Sequence, residues 1–210
     1  MNKAKYEKLL AGLIGSWFVI SLLTSALHAY RAAPSQPPVA LGLAVVIPIV
    51  FFLVWFANSR GFRDYVLSLD ARTLTFVHSW RVAGFVFLVL YSYGVLPGIF
   101  ALPAGWGDII IGATAALVAK WLADPEHRRS FIAWQALGIL DLLLAVTLGA
   151  TSSLIDPRAV PTSPLTVLPL SLIPTFGVPL MIILHVICIA QARQWLAHPS
   201  RVGGALLTRV

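Results

Sequence analysis

"FVHSWRVAGFVFLVLYSYG", residues 76–94, carries a single formal charge, Arg81, in an otherwise apolar stretch. The stretch has the length of a bilayer crossing, which takes about 20 residues at 1.5 Å each. A guanidinium at the centre of such a segment costs about 2.5–3.5 kcal/mol on insertion scales, so it needs a partner or a wet cavity. Two questions follow from this one segment: how many helices surround it, and what stands opposite Arg81.

Composition answers the first. Of 210 residues, 59% are hydrophobic and 11% charged, where a soluble domain carries about 25% charged residues. Six stretches are long and apolar enough to span, at approximately 9–30, 38–58, 73–95, 107–123, 128–149 and 172–196. The expected fold is therefore all-α, a polytopic integral membrane protein whose residues 1–210 form a single six-helix transmembrane domain. Lys3, Lys5 and Lys8 ahead of an apolar core ending in "SALHA" resemble a signal peptide, but the apolar run continues too far, and the segment reads as an uncleaved first helix.

Thirteen of the fifteen Lys and Arg residues fall on the side of the N-terminus, leaving Arg31 and Arg158 on the other. The positive-inside rule then predicts cytoplasmic N- and C-termini, in a plasma membrane of the bacterial inner-membrane type. Trp55, Trp80, Trp121, Trp134 and Trp195 near the cytoplasmic helix ends agree, since indoles favour the interface. The net charge of +7 thus reads as topology. Basic residues are spread along the chain at segment ends, with no arm or block for nucleic acid. One cysteine, Cys188, excludes an intramolecular disulfide and any CxxC motif.

The connections are punctuated. Residues 60–70 place Phe62, Val66 and Leu69 on one face, predicting a short interfacial helix. In "ADPEHRR" (123–129), Asp124 and Pro125 predict the start of the fifth helix. "GVLPGIFALPAGWGD" (94–108) is too rich in Gly and Pro for a helix and predicts an outer loop. Asp108 would then cap the fourth helix, at an outer mouth shared with Tyr91 and Trp106. Residues 151–169 form a second outer loop, and prolines as far as Pro179 predict an irregular, kinked sixth helix. Small residues four apart, Ser21-Ser25-Ala29 and Gly112-Ala116, predict close helix contacts.

Three spans carry an ionisable residue at depth. At 1.5 Å per residue, Arg81 lies about 13 Å, Asp141 about 18 Å and His185 about 12 Å from the cytoplasmic boundary. Helical spacing puts His78, Arg81 and Phe85 on one face. Trp134, Gly138, Asp141 and Ala145 share another, with Gln135 beside them, and Met181, His185 and Cys188 a third. The expected site is a cluster in which Arg81 faces Asp141 and His185 completes the set, with Gln135 and His78 adjacent. It would line a polar cavity that binds or conducts a small polar solute or protons, His185 being the group that titrates nearest neutral pH. A purely structural ion pair is the plainer alternative.

Other chemistries fit less well. His78 and His185 at similar depth are the requirement for bis-His ligation of a b-type haem, but Arg81 lies deeper than a propionate partner should. A metal held by Asp141, His185 and His78 would be repelled by Arg81. No other cofactor is expected. A membrane-embedded lipid-modifying enzyme using His185 and Asp141 as acid and base needs a lateral opening. Phosphate-loop, HExxH and GxSxG motifs are absent, so a non-enzymatic role is favoured. The expected partners are the lipid bilayer and, because the chain is small for a solute carrier, a second copy or a larger membrane complex.

Overall fold

The computed structural model describes residues 3–31 and 38–195, and within these all regular structure is helical. The chain runs through α1 (Lys3–Ala26), α2 (Val39–Asn58), α3 (Arg60–Leu67) and α4 (Ala71–Val77). A 3-10 segment, His78–Gly84, leads into α5 (Phe85–Ser92), followed by α6 (Gly98–Trp121) and α7 (Arg128–Ile155). A π-helical turn, Ile173–Gly177, then feeds α8 (Val178–Gln194). Six runs are long and apolar enough to cross a membrane: α1, α2, the composite Ala71–Ser92, α6, α7 and the composite Ile173–Gln194.

Local chemistry sets the connector between α2 and α4. The Ser59 hydroxyl accepts from the Phe62 backbone N–H at 3.3 Å, capping α3. Asp70 caps α4, accepting from the Thr73 N–H at 2.9 Å and its hydroxyl at 2.6 Å. A short helix forms where one was predicted, but it stops at Leu67 and turns its apolar face into the protein. Phe62 stacks on Trp55 at 3.9 Å, and Phe62 and Val66 are buried together with Tyr6, Phe52 and Ile187. Asp124 accepts from the His127 N–H at 2.9 Å, which closes the turn ahead of α7 rather than capping its first residues.

Two spans depart from the sequence pattern at their core. The third span is not one continuous α-helix, because its centre winds as 3-10. The fourth starts at Gly98, so most of the expected outer loop is helix, with Pro103 inside it. Pro103 lies past the first turn, so it forfeits the bond to the Ile99 carbonyl and its ring crowds that oxygen, and burial outweighs that cost. Phe100, Ala101 and Ala104 sit in a core with Phe87, Leu96 and Leu165. Close approach favours glycine here, since a Cβ on Gly105 would meet Leu88 and one on Gly112 the backbone of Arg81 and Val82. The packed stripe is accordingly Gly112, Ala115 and Ala119, while Ala116 is exposed. On α1, Ser21 and Ser25 are buried as expected, whereas Ala29 lies beyond the helix and is exposed.

The sixth span begins irregularly, as the prolines require. Pro179 has no N–H to offer the Thr175 carbonyl, four residues earlier in the helix. That carbonyl accepts instead from Trp17 Nε1 at 3.2 Å and Ser21 Oγ at 3.4 Å, which ties α1 to the bundle through the π turn. α7 runs past residue 149 to Ile155, its Thr147 and Thr151 hydroxyls each donating to the carbonyl four residues back.

Candidate functional site

The 3-10 segment decides which side chains face inward. With three residues per turn, positions 78, 81 and 84 eclipse one another, and His78, Arg81 and Gly84 are all buried. Phe85, expected on this face from α-helical spacing, is 55% exposed. The tighter winding rotates it outward and leaves room at Gly84 for the next element.

Every nitrogen of the Arg81 guanidinium is engaged. Nε donates to Asp108 Oδ1 at 2.7 Å, and Nη2 donates to Asp141 Oδ2. Nη1 donates to the Gly138 carbonyl at 3.2 Å and to His185 Nε2 at 3.3 Å. An arginine can only donate, so His185 Nε2 must accept and the ring proton sits on Nδ1. That nitrogen donates to Gln135 Oε1. Gln135 Nε2 donates in turn to the Thr75 hydroxyl at 3.1 Å, and Thr75 donates to the Ala71 carbonyl at 2.8 Å. Cys188 Sγ lies 3.8 Å from the same hydroxyl. One cation thus sets the direction of a hydrogen-bond chain through four helices.

Glycines make the convergence possible. A Cβ on Gly107 would overlap the Asp141 carboxylate, one on Gly138 the His185 ring, and one on Gly84 the Asp108 side chain. Thr75, His78, Gln135, His185 and Cys188 are fully buried, Arg81 nearly so, and the two carboxylates are the most accessible members, 16% exposed for Asp108 and 14% for Asp141.

Arg81, Asp141, His185 and Gln135 therefore meet as the spacing predicted. Asp108 is the correction. It is not a helix cap, because α6 begins ten residues earlier and carries it into the bundle. Sequence reasoning missed it by reading Gly and Pro as loop. Had residues 98–107 been taken as helix, Asp108 would have stood about 15 Å inside the span, a depth that demands a partner. Tyr91 and Trp106 do not join it and are 44% and 56% exposed.

His78 lies beside the network without entering it. Its ring stacks on His185 at 3.7 Å and 16°, edge-on to Trp134 at 6.0 Å, and neither ring nitrogen has a hydrogen-bond partner among the described residues. Bis-His haem ligation needs two imidazoles presenting nitrogens to one iron from opposite porphyrin faces. Rings stacked face to face leave no space for that, so the pair does not fit haem. Among the described residues, no group of three or more His, Cys, Asp or Glu is arranged to hold a metal ion.

The cavity beside the cluster also differs from expectation. It is apolar, not polar, with a volume of about 340 Å³. It lies between the start of α2 and the end of α7, under residues 161–166, with Phe87, Phe100 and Asp108 in its wall. Asp108 is its one charged lining residue among those described.

No curated protein and no solved structure matches the chain. Residues 37–193, which include every member of the network, match the family model described as Domain of unknown function (DUF8737), and the chain belongs to that family.

Proposed function

We propose that the chain is a multi-pass protein of a bacterial plasma membrane, both termini cytoplasmic, whose Arg81–Asp108–Asp141–His185 cluster takes up and returns a proton. Support for the bilayer comes from the six apolar runs and from the large apolar side chains exposed along α1 and α2, such as Ile20, Leu23, Ile47 and Phe51. Support for the orientation comes from the bias of Lys and Arg, twelve to two once the buried Arg81 is set aside.

The single observation that carries the functional reading is one guanidinium shared by two carboxylates. The titratable groups bonded to it are Asp108 from α6, Asp141 from α7 and His185 from α8, with His78 stacked on His185 and Cys188 next to Thr75. None of these adds a second permanent positive charge. Two ionised carboxylates would leave a net negative charge in a low-dielectric interior, at a cost of several kcal/mol. Two carboxylates sharing one site hold a proton between them. The proton reaches His185 through Arg81 only as a change in hydrogen bonding, because arginine stays protonated. The histidine and Gln135 thus register which carboxylate is charged.

Infrared difference spectroscopy across a pH titration tests this. A protonated-carboxyl stretch should appear in the wild type and vanish in Asp108→Asn or Asp141→Asn. Liposomes loaded with a pH-sensitive dye should acidify under an imposed potential with wild-type protein, and no faster than empty liposomes with Asp141→Asn. Absence of a titrating carboxyl band would remove the reading and leave a structural ion cluster.

A further inference from the structure

The proton reading leaves the apolar cavity unused, although Asp108 belongs to both. Its Oδ1 is taken by Arg81, whereas Oδ2 accepts no hydrogen bond among the described residues. The volume of about 340 Å³ falls in the range of small-molecule sites, about 300–1,000 Å³. Apart from the carboxylate, the wall is made mainly of aliphatic and aromatic side chains, with Thr162, Ser163 and Thr166 along the connection above. Thr162 donates to the Gly149 carbonyl at 2.8 Å, pinning that connection across the end of α7. Phe87 and Phe100 meet edge to face at 5.3 Å in the same wall. A carboxylate in the wall of an otherwise apolar cavity is the environment that recognises an organic ammonium carrying an apolar body, through charge at one end and burial at the other.

We infer that this cavity binds an amphiphilic organic monocation, its apolar body between α2 and α7 and its ammonium head on Asp108, and that binding expels the proton held by the carboxylate pair. The inference rests on the proposed proton site and names what exchanges with it. The charge arithmetic is closed in both states. With the proton bound, Arg81 balances the one ionised carboxylate. With the ammonium bound, the carboxyl O–H bond breaks, the proton leaves to solvent, and two cations face two carboxylates. An anionic amphiphile has no cationic wall residue to meet among those described, and a neutral one gains nothing from Asp108.

The test is isothermal titration calorimetry on the full chain in neutral-lipid nanodiscs, empty nanodiscs subtracted, in two buffers of different ionisation enthalpy. Octyltrimethylammonium should bind at least about tenfold more tightly than 1-octanol, octyl sulfate should not bind, and about one proton should be released per cation bound. Asp108→Asn should remove the preference for the cation and leave 1-octanol binding unchanged. Gly42 lines the cavity, and a Cβ there meets nothing within 4 Å, so Gly42→Phe should fill the space and abolish binding of both ligands while leaving the infrared carboxyl band intact. Equal affinity for cation and alcohol, preference for the sulfate, or unaltered binding in Gly42→Phe would overturn the inference while the carboxyl band stood. Selective cation binding without that band or proton release would instead remove the proton reading and with it the exchange.

Discussion

Arg81 Nε and Asp108 Oδ1 meet at 2.7 Å across 27 positions of sequence, joining the 3-10 centre of the third span to the middle of α6. The same guanidinium holds Asp141 on α7 and His185 on α8. Four spans are thus fastened at one point, and that point contains more carboxylate than cation.

Replacing Arg81 by leucine should therefore be severe. Breaking a buried pair by removing one partner costs about 3–5 kcal/mol, and here two acceptors are stranded. Circular dichroism melts in detergent should show a large fall in Tm for Arg81→Leu. Arg81→Leu with Asp141→Leu should recover only part of it, because Asp108 remains unpaired. Adding Asp108→Leu should recover most of the rest. If the double variant already melts like the wild type, Asp108 has no energetic share in the cluster.

Glycine substitutions should divide by position rather than by helix propensity. In a helix interior, Gly→Ala ordinarily gains about 1 kcal/mol. Gly12 and Gly15 on α1 have open space at the Cβ position, so alanine there should leave Tm unchanged or raise it. At Gly107 and Gly138 the same methyl overlaps the Asp141 carboxylate and the His185 ring, and alanine should lower Tm by several degrees. A uniform response across the four sites would show that the close approaches have no energetic weight.

The cap at Asp70 supplies a pH dependence outside the cluster. The Thr73 hydroxyl first, then the Thr73 backbone N–H, hold the Asp70 carboxyl below its ordinary value. A carboxylate depressed in the folded state stabilises above its unfolded value, and that contribution fades as pH falls through the depressed one. Asp70→Ala should cost about 1 kcal/mol, the usual value of such a cap. In chemical-denaturation series, the gap between Asp70→Ala and wild type should be constant at neutral pH and close at the acid end. A gap that widens on acidification would contradict the sign.

Orientation can be read with single cysteines. Cys188 is buried, and replacing it by alanine clears the background. Ser163→Cys, on the connection between α7 and α8, should react with a membrane-impermeant maleimide in intact cells, while Glu126→Cys, between α6 and α7, should react only after permeabilisation. The reverse pattern would place both termini outside.

The number and approximate position of the six long apolar helices were legible because hydrophobicity is additive along a segment and only 11% of the residues are charged. Arg81, Asp141, His185 and Gln135 could be brought together on paper because a charge among apolar residues needs partners, and helical spacing restricts which side chains can supply them. The misreadings have two causes. Residues 98–107 look like a loop by propensity, yet Phe100, Ala101 and Ala104 find a core to enter, and that gain exceeds the cost of one proline and three glycines. Phe85 was assigned inward by a 3.6-residue period that the chain abandons between His78 and Gly84.

What the sequence determined by itself is a helical chain with six apolar runs and a charge that must be buried with company. Only tertiary structure decided that the company includes Asp108, that the imidazoles of His78 and His185 stack, and that an apolar cavity reaches the cluster from the side. The physical reason is the range of the forces involved. Burial tendency and helix period act between near neighbours and can be summed along the chain. A shared guanidinium, a Cβ that would overlap a carboxylate on another helix, and the void between α2 and α7 exist only once distant segments pack.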